Sequence, residues 1–206
     1  MKTNSPKVII ANKTYAAKIE KLRSDSYHNS SGFKIIDEDG FQKYSKWSEK
    51  DDNGIVLVAL NEDDTPNSCL RGNLYFSQSE LELNNLNFLN NSHDFITYPV
   101  LDMTIAATSP DYFKTGLLSV LRYYMYLLHR HSVKSITGVA VKNSSIYKTL
   151  EKFGYEFREI ELGRKELSIV EPWTIARINT CQLDFAINYL KEKYAETIMN
   201  YPLIIS

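Results

Sequence analysis

Between residues 100 and 160 the chain alternates between strand-like and helix-like text, and few architectures accommodate that alternation. In residues 100–106, Val100, Asp102, Thr104 and Ala106 fall on one side of an extended strand and Leu101, Met103 and Ile105 on the other. The second side is apolar and is expected to face a core. After a break at Ser109-Pro110, residues 117–131 place Leu117, Leu121, Tyr124 and Leu128 on one helical face, with Leu118 and Met125 adjoining, and end in His129-Arg130-His131. Residues 135–141 (SITGVAV) read as a strand, 143–153 as a helix stopped by Gly154, and 155–160 as a further strand. Strands separated by helices in this way are expected to be parallel neighbours, with the helices covering the crossovers.

Upstream, Tyr15, Ile19, Leu22 and Ser26 recur at helical spacing and predict an amphipathic helix over 12–28. Residues 32–54 read as loop with a short helix around 42–47. The β-branched run IVLVAL (55–60), the turn-forming 61–67 and the extended 69–77 predict an antiparallel hairpin. Antiparallel and parallel strands therefore meet in one mixed, twisted central sheet flanked by helices, an α/β (α+β) fold. Residues 84–94 are Asn-rich but hold Leu86, Phe88 and Leu89, which suggests an anchored insertion. The tail offers a short strand at 168–170 and a last amphipathic helix at 181–194. With 206 residues, no internal repeat and no boundary, one domain over 1–206 is expected.

Charge and cysteine content exclude several classes of function. Lys and Arg number 24 against 25 Asp and Glu, a net charge of -1, which gives no electrostatic footprint for nucleic acid. Cys69 and Cys181 have no Cys or His at ligand spacing, so neither a metal site nor a disulfide framework is implied. His129 and His131 do not face one another on a helix and more simply complement its C-terminus. The apolar run at 8–11 is too short for a signal-peptide core, and nowhere do some eighteen apolar residues run together. A cytoplasmic protein without a transmembrane segment is the expectation.

The start of the helix near Thr115 and Gly116 would present free backbone N–H groups to an anion. This stretch and its sequel resemble the central half of the GNAT N-acyltransferases. In that family a strand leads into a Q/R-x-x-G-x-G/A loop that cradles the donor's pyrophosphate, followed by a long helix, a strand, an Asn-led helix and a terminal L-G-F. Residues 113–118 (FKTGLL), Asn143-Ser144-Ser145-Ile146 and Phe153-Gly154-Tyr155 match these landmarks without gaps in spacing. The resemblance implies a pantetheine thioester as co-substrate, acyl-CoA or acyl-phosphopantetheine, with no permanently bound cofactor. It implies donor contacts from Ala106, Lys114, Thr115, Gly116, Leu117 and Asn143, and two parallel strands splayed apart to receive the pantetheine amides. Phe113 and Leu118 depart from the loop pattern, Leu118 where a small residue lets the backbone approach phosphates. Leu150 replaces the family's Tyr that protonates the departing thiolate, and Tyr147 lies one turn earlier.

A looser similarity extends to the N-acyl amino acid synthases and acyl-homoserine-lactone synthases. It rests on Arg23-Ser24-Asp25-Ser26-Tyr27, on the acidic, aromatic residues 44–52, and on Gly163 and Pro172 in the tail. That branch implies a medium or long acyl chain delivered by acyl carrier protein, with Lys114 and Arg122 as its contacts, and a primary amine as acceptor, of an amino acid for example. Asp102 is then the general base, provided burial raises its pKa, or else an Asp held by backbone or a basic neighbour. Arg23 binds the acceptor's carboxylate, orders the acidic loop or forms a salt bridge. Thr104 lines the cleft or simply favours the strand. Asp51 and Asp52 hold the acceptor's ammonium or form a solvated turn. Tyr123, Tyr124 and Tyr126 pack a core or wall an apolar tunnel. Two alternatives stay open: a GNAT-fold binding module without turnover, and an acetyl-CoA-dependent acetyltransferase.

Overall fold

β1 (Lys7–Ile10) opens the chain and leads, through a 3-10 turn capped by the Asn12 side chain, into α1 (Ala16–His28). This computed structural model describes residues 5–30, 33–81, 86–88, 95–142, 144–162, 167–169 and 173–205. Asn143, Leu89, Gly163 and Pro172 lie outside them, as do the side chains of Leu86, Phe88 and Cys181. β2 (Phe33–Ile35) is followed by α2 (Glu38–Ser45), whose N-cap Asp37 accepts from the Gly40 N–H, and by the single-turn α3 (Glu49–Asp52). The short helix expected at 42–47 thus starts earlier, where the Asp37 cap sets it. Ser48 and Asp51 close α3 with reciprocal side-chain bonds to each other's backbone N–H.

β3 (Ile55–Leu60) and β4 (Pro66–Tyr75) form the expected hairpin, β5 (Leu86–Phe88) is a short strand in the insertion, and β6 (Val100–Thr108) precedes α4 (Leu117–His129). β7 (Ser135–Val141), α5 (Ser145–Lys152), β8 (Glu156–Leu162), β9 (Leu167–Ile169) and β10 (Trp173–Asn179) follow, then α6 (Thr180–Lys193), α7 (Ala195–Asn200) and β11 (Leu203–Ile204). One nine-stranded sheet has the order β11-β1-β3-β4-β6-β7-β10-β8-β5, while β2 and β9 pair separately. β6 and β7 are parallel neighbours, as are β1 and β11. The expectation that β7 and β8 are also neighbours is corrected: β10 lies between them, antiparallel to both. A strand supplied from the tail takes the slot that local alternation assigned to β8.

The sheet separates two cores. On one face Leu57, Leu70, Leu101 and Met103 meet α4 and α6, through residues such as Val120, Leu121, Leu183 and Ile187. On the other, Val56, Val58, Leu60 and Cys69 meet Ile19 and Leu22 of α1. β6 serves both faces because it carries a bulge. Its register to β4 slips between Arg71↔Thr104 and Cys69↔Ala107, and Ile105 adopts φ 48°. Ala107, of the same parity as Leu101 and Met103, therefore packs with α1 rather than α4. Simple alternation holds through Thr104 and fails there. Ala106, expected beside Asp102 and Thr104, packs instead against the α4 core.

Candidate functional site

β6 and β7 are hydrogen-bonded only over Val100↔Ser135 to Met103↔Gly138, although β6 runs on to Thr108 and β7 to Val141. Beyond Met103 the two strands no longer pair with each other, so a guest with amides of its own could lie between them. Gly138 marks the last pair. A Cβ there would lie 2.9 Å from the Met103 carbonyl oxygen, so a side chain would force the strands apart below the gap.

At the base of the gap Asp102 stands opposite Thr137 on β7 and Asn73 on β4, one pair before the ladder ends. Asp102 and Thr104 are half-buried and share their face with Arg71, which donates from Nε and Nη2 to Thr104 Oγ1 at 3.1 and 2.9 Å. Arg71 Nη1 also reaches Asp51 Oδ2 at 3.6 Å. Arg23 is fully buried and grips both oxygens of Asp51 through Nη1 and Nη2, while the Ser48 N–H donates to Oδ2 at 2.9 Å. Asn73 Nδ2 donates to the Lys50 carbonyl at 2.8 Å, tying α3 to β4. Trp47 Nε1 donates to Asp52 at 2.7 Å. Asp51 is thus folded inward on α3 as a buried hub rather than part of a solvated turn, whereas Glu49 and Asp52 are exposed.

Electrostatics follow from this arrangement. Burial alone would raise the Asp51 carboxyl, but hydrogen bonds and charge from Arg23, the Ser48 N–H and Arg71 outweigh it and hold it below the usual carboxylate range. Burial lowers the Arg71 guanidinium despite the opposing charges of Asp51 and Asp102. Tyr75 is pushed up by burial and then by the Asp102 carboxylate, and Tyr27 well up by burial and its contact with Tyr44. Asp102 and Arg71 are thus the opposite charges nearest the gap, and behind them Asp51 is held by Arg23, whose Nε is buried without a hydrogen-bond partner.

The expected donor loop has a different character. Gly116 is the N-cap of α4 at φ 79°, and a Cβ on it would fall within contact distance of Tyr194 Cε1 and 2.5 Å from Cδ1. Tyr194 comes from the junction of α6 and α7. Lys114 and Thr115 are exposed, and the Leu117 side chain is buried in the α4 core, so Leu117 offers only backbone. Thr115 Oγ1 donates to the Tyr112 carbonyl at 2.8 Å and accepts from the Leu117 N–H at 3.4 Å. The N–H groups of Tyr112, Phe113 and Thr115 bond the carbonyls of Ser109, Pro110 and Tyr112. The loop bonds to itself. Four of its N–H groups, those of Tyr112, Phe113, Thr115 and Leu117, are spent within it.

Tyr147 stacks on Phe157 of β8, with ring centroids 4.0 Å apart. β10 intervenes between β8 and β7, so the ring is held on a strand two places from β7 while its helix α5 packs on β7. The structure therefore brings Asp102, Thr104 and Arg71 together, with Arg23 behind them through Asp51, and places Tyr147 against Phe157. Arg71 and Tyr194 escaped the sequence reading. A lone charge inside the otherwise buried run CLRGN was the available signal for Arg71; a tyrosine at a helix end gave none.

Among the described residues no group of three or more His, Cys, Asp and Glu is arranged to hold a metal, and no helix is long and apolar enough to cross a membrane. No protein-family model matches the sequence, and no curated protein matches it. Solved structures do. A Desulfovibrio desulfuricans protein assigned to the GNAT acetyltransferase family is 10% identical with TM-score 0.58, over 85% of this chain and 99% of that one. The ribosomal-protein-S18-alanine N-acetyltransferase of Escherichia coli is 11% identical with TM-score 0.55, over 85% and 94%. The Salmonella typhimurium protein yncA, solved with acetyl-CoA, is 12% identical with TM-score 0.54, over 86% and 95%. The fold is that of the GNAT acetyltransferases.

Proposed function

We propose that the chain is an N-acyltransferase that moves an acyl group from a pantetheine thioester to a primary amine. The observation that carries this reading is the gap between β6 and β7 past Met103 and Gly138, with a charged, half-buried floor at its base, in the fold of acetyltransferases. A pantetheine arm laid in the gap would extend the sheet through its amides and deliver the thioester carbonyl near Asp102. The neutral amine attacks that carbonyl, Asp102 accepts a proton from the nitrogen directly or through one water, and the C–S bond breaks to release a thiolate that takes up that proton through water and leaves as the thiol. Thr104, accepting from Arg71, keeps its own O–H to donate. Asp102 is half-buried at the base of the gap and supplies a negative charge suited to the ammonium of an amino acid as acceptor. The donor is acyl-CoA or an acyl group on carrier protein. Cytoplasmic location accords with this chemistry.

Incubation of the protein with a panel of acyl thioesters and primary amines, with mass detection of product and titration of free thiol, tests the proposal. Acylated amine and thiol are expected in equal amounts, and Asp102→Asn is expected to lower turnover about 10²-fold or more with the fold intact. Unchanged turnover in that variant would move the base elsewhere. The self-bonded loop before α4 favours one other reading, a binding module without turnover, and donor binding without any product would select it.

A further inference from the structure

We infer that Tyr194 is a specificity-determining residue that closes the N-terminus of α4 to a nucleoside diphosphate, and so selects donors whose pantetheine arm carries no nucleotide. This rests on the acyl-transfer reading above and names its donor. A diphosphate at a helix start needs N–H groups that point outward and a backbone that phosphate oxygens can approach closely. At Gly116 the close approach is already taken. The space that the absent Cβ leaves is filled by the Tyr194 ring, at 2.5 Å for Cδ1 from the Cβ position. The N–H groups of Tyr112, Phe113, Thr115 and Leu117 are bonded within the loop.

The segment that carries the ring is anchored on both sides of it. The Tyr194 N–H bonds the Leu190 carbonyl at 3.0 Å, and the Ile198 N–H bonds the Tyr194 carbonyl at 2.8 Å. Thr197 Oγ1 donates to the Thr115 carbonyl at 3.4 Å, and the Tyr124 hydroxyl donates to the Tyr201 carbonyl at 3.0 Å. The gap between β6 and β7 involves none of these contacts. The fold therefore keeps a place for the pantetheine arm and closes the place for the nucleotide at its far end. Acyl-pantetheine, free or as the phosphopantetheine arm of a carrier protein, fits; the adenosine 3′-phosphate 5′-diphosphate end of CoA does not.

The test compares the same acyl group on pantetheine, on CoA and on acyl carrier protein, in the wild type, Tyr194→Ala, Tyr194→Leu and Tyr194→Phe. Binding of adenosine 3′,5′-bisphosphate and of CoA is measured alongside by calorimetry. The wild type is expected to use acyl-pantetheine at least as well as acyl-CoA and to bind no bisphosphate. Tyr194→Ala or Tyr194→Leu should raise the ratio of kcat/KM for acyl-CoA over acyl-pantetheine about tenfold or more, while Tyr194→Phe keeps it. That ratio cancels any loss of folded enzyme. A salt-sensitive advantage of the carrier-borne donor over free acyl-pantetheine would identify the protein as the source. Nucleotide binding by the wild type, or an unchanged ratio and no nucleotide binding after removal of the ring, overturns the inference. If no donor yields product the acyl-transfer reading fails, and the binding of bisphosphate and CoA to the wild type and to Tyr194→Ala still decides the role of the ring.

Discussion

Asp51→Asn removes one charge and almost no volume from the buried cluster behind the gap, and its effect follows from the geometry. The Asp51 and Arg23 side chains are 0% exposed and Arg71 is 5% exposed. The wild-type carboxylate is shared by both guanidinium groups; the amide leaves two buried cations beside each other without their common counter-charge. Breaking a buried pair by neutralising one partner costs about 3–5 kcal/mol. For a domain of this length that corresponds to a drop in Tm of about 6–20 °C. The pH dependence has a definite sign. Because Asp51 is held below the usual carboxylate range, the wild type keeps this stabilisation at all pH values above about 4 and loses it as pH falls through the depressed folded-state value. The stability difference between wild type and Asp51→Asn, from urea unfolding, should therefore be flat from pH 8 to about 5 and close in acid. The double variant Arg23→Met/Asp51→Leu should recover part of the loss, since an apolar pair replaces a desolvated ionic one. A difference below about 1 kcal/mol at pH 7, or one that persists unchanged into acid, would refute the assignment of Asp51 as the hub.

Two further expectations concern close contacts. Gly138→Ala places a Cβ 2.9 Å from the Met103 carbonyl oxygen, a backbone atom with little freedom to yield, so a loss of about 1–3 kcal/mol is expected in thermal melts; unchanged stability would mean the two strands separate easily at that pair. Tyr155→Phe leaves the buried Tyr126 hydroxyl without its 2.6 Å partner and should destabilise by about 1–3 kcal/mol, with Tyr126→Phe/Tyr155→Phe less harmful than the two single losses added together; strict additivity in denaturant unfolding would show the two hydroxyls to be uncoupled.

Periodicity carried the elements whose burial is one-sided and continuous. The stripe of Leu117, Leu121 and Tyr124 led to α4, and the β-branched runs led to β3 and β7, because each pattern reports a single buried face. The bulge at Ile105 was not legible, since it is fixed by the register of β6 against β4 and leaves no mark in the strand's own text. The same holds for β10: the sheet slot it takes is decided by pairing with β7 and β8, so the reading of β8 as a neighbour of β7 failed for want of one strand. Asp102 and Thr104 were read as sharing a polar face and do so, whereas Ala106, beyond the bulge, does not. Arg71 shows the same limit from the side of charge. Its meaning depends on Asp51, twenty positions earlier, being turned inward by a single-turn helix.

The two ends of the nine-stranded sheet have a consequence for how the molecule behaves among its own copies. β11, only Leu203–Ile204, lies along β1, and β5, only Leu86–Phe88, lies along β8. A sheet this wide would ordinarily present a long row of unpaired amides at each margin, an invitation to add strands from another chain. Among the described residues, β11 pairs with Val8 and Ile9 of β1 and β5 with residues 160–162 of β8, stubs too short to template such growth. The pairing on β1 joins segments separated by nearly the whole chain, so it is the most non-local contact in the sheet. Loss of the pairing at 203–204 would expose Val8 and Ile9 of β1 as a sheet edge open to a strand from another molecule.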